Sequence, residues 1–221
     1  MVLPVATVLQ RAGRWSSALA ATRNPVLRAE ILVDRCLWRG EPPDEALEAI
    51  AAIRGQPLPA AFLQNLIVYW QKRRKPGSPG DPIAGLAAVA EEADGDLQAW
   101  AVYWHAAALQ RVGHEWYAAG EGYERARQLA VASGDRLLES YAVRAQGEQL
   151  RGDDDASAIQ LLRRSLYLRA VCAARPHVID AQLALAGALQ KSMEAHELEK
   201  IAKAAAFELR LTPLLEEYGY P

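Results

Sequence analysis

Apolar residues recur along this chain at helical spacing, and proline and glycine fall between the apolar stretches. Asn24-Pro25 opens a helix, with proline at the first position, where its missing N–H costs nothing. That helix is predicted to run to Trp38 and to stop at Gly40. Pro42-Pro43 opens the next, about 43–54, and Gly55-Gln56-Pro57 breaks it. A third runs from about Pro59 to Arg74. The stretch from Lys75 to Pro82 (KPGSPGDP) is the clearest loop. Because the helix after it (about 82–93) keeps the same Ala/Val/Leu spacing, the loop is expected to lie inside one domain, 1–221. Further helices are predicted over 97–112, 114–132, 136–151, 154–173, 177–191 and 194–209, and Thr212-Pro213 is expected to disrupt the last segment. The opening MVLPVATVLQ lacks a basic leader region and a small-residue cleavage site, so it reads as the first helix. No period-two alternation persists. The expectation is an all-α fold of about eleven or twelve helices in antiparallel pairs.

A ladder repeats along these helices. Gly113, Ala119, Tyr123 and Ala126 recur as Gly152, Ala158, Leu162 and Ser165, each 39 residues later. The same offsets occur upstream at Gly40, Ala46, Ile50 and Ile53. Self-similarity at such a period points to stacked supersecondary units, which present an extended binding surface. Ala119 and Ala158 are therefore expected to pack closely between helices, and Trp15, Trp116 and Tyr123 to occupy core positions. The glycines inside predicted helices (Gly85, Gly120, Gly122, Gly147 and Gly187) are read as close helix–helix approaches.

Gly13-x-Trp15-x-x-Ala18 resembles the turn and second-helix start of a tetratricopeptide (TPR) repeat. Trp116-x-x-Ala119-x-x-x-Tyr123-x-x-Ala126 resembles its second helix more fully, and Ala158-x-x-x-Leu162-x-x-Ser165 is similar again. TPR units run about 34 residues, so the longer spacing here implies longer helices. The long units with Gly-Asp connectors also look like the TPR-like regions of bacterial transcriptional activators. The resemblance implies a right-handed α-solenoid of about five TPR-like hairpins. It implies a non-catalytic scaffold that binds a protein or peptide on its concave face. The alternative is a regulatory sensor module of a bacterial transcription-regulation system, binding a small effector or a regulator protein.

Composition narrows this further. Ala and Leu are the commonest residues, as suits helices that approach closely. The net charge of -2 gives no global drive toward nucleic acid or anionic membranes. No helix-turn-helix with a basic recognition helix stands out, so direct nucleic-acid binding is not expected. No apolar run reaches the length of a membrane span, and Cys36 and Cys172 read as reduced, buried thiols of a cytoplasmic protein. Self-association is left open.

Catalytic and metal-binding patterns are weak. His114-Glu115 has no second histidine at zinc-protease spacing, and His105 lies on a different face. Asp153-Asp154-Asp155 reads as helix capping, and Asp180 as a carboxylate favouring a helix N-terminus, with His177 beside it and Ser192 only a remote triad partner. No catalytic residue, metal or cofactor is expected. Trp100, Tyr103 and Trp104 present aromatics on two faces of one helix, one of them a candidate recognition surface. In TPR units the first helix of each hairpin lines the concave side. With the register set from Gly40, Gly113 and Gly152, the resemblance implies a basic concave face formed by Arg28, Arg35, Arg39, Lys72, Arg73, Arg111, Arg144 and Arg151 around Trp104. Such a face suits an acidic peptide, or a carboxylate- or phosphate-bearing ligand.

Overall fold

A computed structural model describes residues 3–220. Among them are thirteen α-helices, one π-helical turn and no strand. The helices are α1 (Val5–Arg11), α2 (Trp15–Ala20), α3 (Pro25–Arg39), α4 (Asp44–Ala51), α5 (Pro57–Arg74), α6 (Pro82–Glu92) and α7 (Gly95–Ala108). After the π-helical turn (Leu109–Gly113) come α8 (Trp116–Ser133), α9 (Arg136–Leu150), α10 (Asp155–Val171), α11 (Arg175–Leu189), α12 (Met193–Leu209) and α13 (Thr212–Glu217). No helix among the described residues is long and apolar enough to cross a membrane.

Local chemistry places most helix starts. Asn24, Asp81, Asp135, Asp154 and Ser192 cap α3, α6, α9, α10 and α12 through side-chain oxygens that accept backbone N–H bonds. Asp154 thus caps α10, while Asp155 Oδ1 accepts from Gly152 N at 2.9 Å. Gly40 ends α3 in the left-handed conformation that glycine adopts without strain.

Each helix packs on the next in sequence, and α3, α5, α7 and α9 also touch successively. Small residues set the approach. Ala119 and Ala158 are fully buried. A Cβ added to Gly122 would stand 2.7 Å from Ala106 Cβ, which shows how closely α7 and α8 meet. At Gly147 the same addition meets Ala158 O at 3.2 Å, between α9 and α10. One apolar cluster runs from α3 through α9, across the Pro/Gly loop.

The two ends of the chain meet. Ala6, Trp15, Ala18 and Ile31 share a cluster with Ile179, Leu183, Ala202, Ala206, Leu209, Leu211 and Leu214. Thr212-Pro213 does not disrupt the last segment. Proline instead sits in the first turn of α13, which lies against α3. Arg73 and Arg74, at the C-terminal end of α5, pair with Glu217 at 2.5 Å and Glu216 at 3.4 Å on that helix.

Other expectations need correction. Trp116 is 55% exposed, although Trp15, at the same spacing from its alanine, is 1% exposed. Trp15 lies in the cluster shared by the two chain ends and beneath the Arg39 guanidinium, 4.9 Å from its ring; Trp116 stands in no such cluster. The π-helical turn inserts an extra residue before α8. The left-handed conformation therefore falls on His114, with φ of 58°, rather than on Gly113. Cys36 and Cys172 are free but only half-buried, and burial pushes both thiols upward in pKa.

Candidate binding cavity

The stripe of α3 that faces inward is Glu30, Val33, Asp34, Leu37 and Trp38, spaced i, i+3, i+4, i+7, i+8. Phe62, Leu63, Leu66 and Trp70 of α5, Trp100 and Trp104 of α7, Leu137 and Tyr141 of α9 and His177 of α11 complete the wall, with Thr7, Gln10 and Arg11 of α1 at its edge. Together they line an open cavity of about 260 Å³. A second cavity of about 110 Å³ lies on the other side of Trp38, Trp70, Trp104 and Tyr141, and Arg73, Arg111 and Arg144 line it. Alternate helices therefore direct their apolar stripes at a common centre.

The aromatic side chains hold one another edge to face. Ring centroids are 5.2 Å apart for Trp100 and Tyr141, 5.9 Å for Trp104 and Tyr141, and 4.8 Å for Trp38 and His177. Trp100 Nε1 donates to Asp135 Oδ2 at 2.9 Å, so the residue that caps α9 also fixes this indole. Trp70 Nε1 and His177 Nδ1 are buried without a partner.

Two kinds of carboxylate stand beside these rings. Asp180 is compensated. Its Oδ2 accepts from Arg169 at 2.7 Å and lies 3.1 Å from Arg144. Burial alone would raise its pKa, but Arg144 and Arg169 outweigh that and hold it below the usual carboxylate range. Arg169 is itself 1% exposed and donates to His177 O as well, so it ties α10 to α11. The dipole role expected for Asp180 is replaced by this buried ion pair.

Glu30 and Asp34 have no such partner. Asp34 Oδ2 accepts from Gln10 Nε2 at 2.7 Å, and neither carboxylate forms an ion pair among the described residues. Burial pushes Glu30 up to about 7, with the neighbouring Asp34 adding to the shift. Burial likewise raises Asp34 to about 6, against the Gln10 hydrogen bond, which lowers it. His177 moves the other way, to about 3, through burial and then the nearby Arg169. At neutral pH it is uncharged.

The residues expected to form a basic concave face divide. Arg73, Trp104, Arg111 and Arg144 line the second cavity. Arg28, Arg35, Arg39, Lys72 and Arg151 line neither. Arg28 is exposed, Arg35 pairs with Glu41 and Glu45 beside α4, Arg39 covers Trp15, and Arg151 reaches Gly187 O. On α3 the inward stripe lies two positions along from the arginines, nearly on the opposite face of the helix. Nor is the second cavity net basic. Arg73 is matched by Glu217 and Arg144 by Asp180 and Glu148.

Glu30 and Asp34 lie outside the set of residues that the repeat register points to. Their signal was present: two carboxylates one turn apart, interleaved with Val33, Leu37 and Trp38 on an apolar stripe. The signal for Trp70 and Tyr141 was weaker, because an aromatic residue at core spacing is ordinary. No cluster of three or more histidine, cysteine or acidic residues among the described residues is placed to hold a metal ion. Compared with protein-family models, curated proteins and solved structures, the chain matches none.

Proposed function

We propose that this chain is a non-catalytic binding module, a right-handed α-solenoid of TPR-like hairpins whose ends meet. Its ligand is a small effector, or a side chain or chain end offered by a partner protein, and it enters the space between the alternate helices. The observation that carries this reading is the convergence of stripes from α3, α5, α7, α9 and α11 on aromatic-walled cavities. An extended peptide lying along an open groove is less well supported, because α13 packs on α3 and on the end of α5 where such a groove would open. Of the two roles that a TPR-like resemblance implies, the effector-binding sensor suits this geometry better than the open scaffold does. A location in the cytoplasm goes with that role.

The test is occupancy against filling. Leu66 lines the first cavity and is 6% exposed, so Leu66→Phe places extra volume there. Val33→Phe does the same from α3. Thermal-shift measurements against small-molecule fractions of a native extract should find a stabilising fraction for the parent chain. The folded, filled variants should lose that stabilisation. A polypeptide partner that bound parent and filled variants equally well would refute the cavity and favour an outer surface.

A further inference from the structure

We infer that the first cavity takes a protonated amine carrying an apolar body, its ammonium group set beside the Glu30 and Asp34 carboxylates and against the faces of the surrounding indole and phenol rings. This rests on the reading of the cavity as the binding site and names the chemical class of its occupant.

Two features of the wall select a cation, and a third selects one that carries an N–H. First, the fold spends an arginine pair on Asp180 yet leaves Glu30 and Asp34, on adjacent turns of α3, with a single neutral hydrogen-bond donor between them. Arg11 lines the same cavity and forms no ion pair with either among the described residues. Like charges one turn apart in an apolar wall are costly until a counter-charge arrives. Second, Trp38, Trp70, Trp104 and Tyr141 surround that space. Aromatic faces attract a desolvated cation, as the guanidinium groups of Arg73 over Trp70 at 4.8 Å and of Arg169 over Tyr141 at 5.0 Å already illustrate on these rings. Third, His177 is 7% exposed, lines the cavity and leaves Nδ1 without a partner. Burial keeps the ring neutral. With the proton on Nε2, Nδ1 presents a lone pair to a ligand N–H. A quaternary ammonium would satisfy the charge and the rings but not that acceptor. A carboxylate or phosphate would meet two carboxylates, and a neutral hydrocarbon would leave them uncompensated.

The experiment uses the full chain and four probes that share a phenyl ring: benzylammonium, benzyltrimethylammonium, benzyl alcohol and benzoate. Tryptophan fluorescence and the indole N–H signals in NMR report occupancy. Benzylammonium should bind roughly tenfold more tightly than benzyl alcohol, with the quaternary probe between them and benzoate weakest. In the Glu30→Gln/Asp34→Asn double variant the preference for the cation should vanish while the affinity for benzyl alcohol stays. Each single variant should lose part of the preference, which keeps the test readable if the double variant does not fold. Benzyl alcohol or benzoate binding as tightly as benzylammonium would overturn the cation assignment and leave the cavity reading standing. Equal binding of the two cations would remove the N–H acceptor role of His177. Indole signals unmoved by every probe, in a folded chain, would overturn the assignment and the cavity reading together.

Discussion

Replacing Glu30 with glutamine should stabilise the empty protein, and only above a particular pH. The carboxyl of Glu30 titrates near 7 in the folded chain because burial, and then Asp34, disfavour its charged form. In the unfolded chain it titrates near its ordinary value of 4.5. Between these two values the unfolded state has released the proton and the folded state still holds it. Stability contributed by this group is therefore complete below about pH 4.5 and is lost as the pH rises through 7. At 1.36 kcal/mol per pKa unit the shift corresponds to about 3 kcal/mol. Glu30 is half-buried and keeps some solvent, so about 2 kcal/mol is the working figure. Glutamine has the same shape and no proton to lose. For a chain of this length about 2 kcal/mol moves the melting temperature by roughly 4–8 °C. The charged and polar groups that face the site, besides the indoles, are Asp34 on the same helix, Thr7, Gln10 and Arg11 of α1, Tyr141 of α9 and His177 of α11. None of these is altered. His177 and Asp180 give the parent chain a pH dependence of the opposite sign, so the informative quantity is the difference between Glu30→Gln and parent. Melting curves at pH 4.5 and pH 8 should show no gain at the lower value and several degrees at the higher one. A difference that did not change with pH, or a loss of stability at pH 8, would refute the buried-carboxylate argument.

Three further outcomes follow from the packing. Arg169→Ala leaves the buried Asp180 with only Arg144 and removes a donor to His177 O, so chemical denaturation should show a loss of about 3–5 kcal/mol. Ala119→Leu forces a larger side chain into a fully buried site on α8, and overpacking should lower stability by about 1–3 kcal/mol; an unchanged melting temperature would contradict the hairpin contact. Truncation before Thr212 removes α13, uncovers part of the cluster shared by the chain ends and releases Arg73 and Arg74. Faster amide exchange should then appear at the end of α5 and along α3 relative to α9 and α10, whereas uniform exchange would mean that α13 clamps nothing.

Helix content was legible because it is a local property. Proline starts, the Asp153-Asp154-Asp155 cap and the glycine that ends α3 placed α3, α5, α6 and α10 close to their observed bounds. The Ala119 and Ala158 contacts were legible for a related reason: a small residue at a repeated offset has few uses other than helix approach. The site was harder to read. Arg73, Trp104, Arg111 and Arg144 were singled out and do line a cavity. Glu30, Asp34, Trp38 and Tyr141 were not, because the facing stripe of α3 depends on rotation about its axis, which a glycine at its end does not set.

What the sequence by itself determined is the all-helical class, the breaks between helices and the small-residue seams that join neighbours. Each follows from backbone preferences and periodicity within a few turns of chain. What only the tertiary structure decided is everything that needs residues far apart in sequence to meet. Trp15 is buried and Trp116 exposed because Leu209 and its neighbours return to cover one and not the other. Asp180 is an ion-pair partner because α9 and α10 bring Arg144 and Arg169 to it. Glu30 and Asp34 hold raised pKa values because helices from both halves of the chain withdraw water from them without pairing either with a charge. Burial and electrostatic compensation are sums over the whole fold, and no window of sequence contains them.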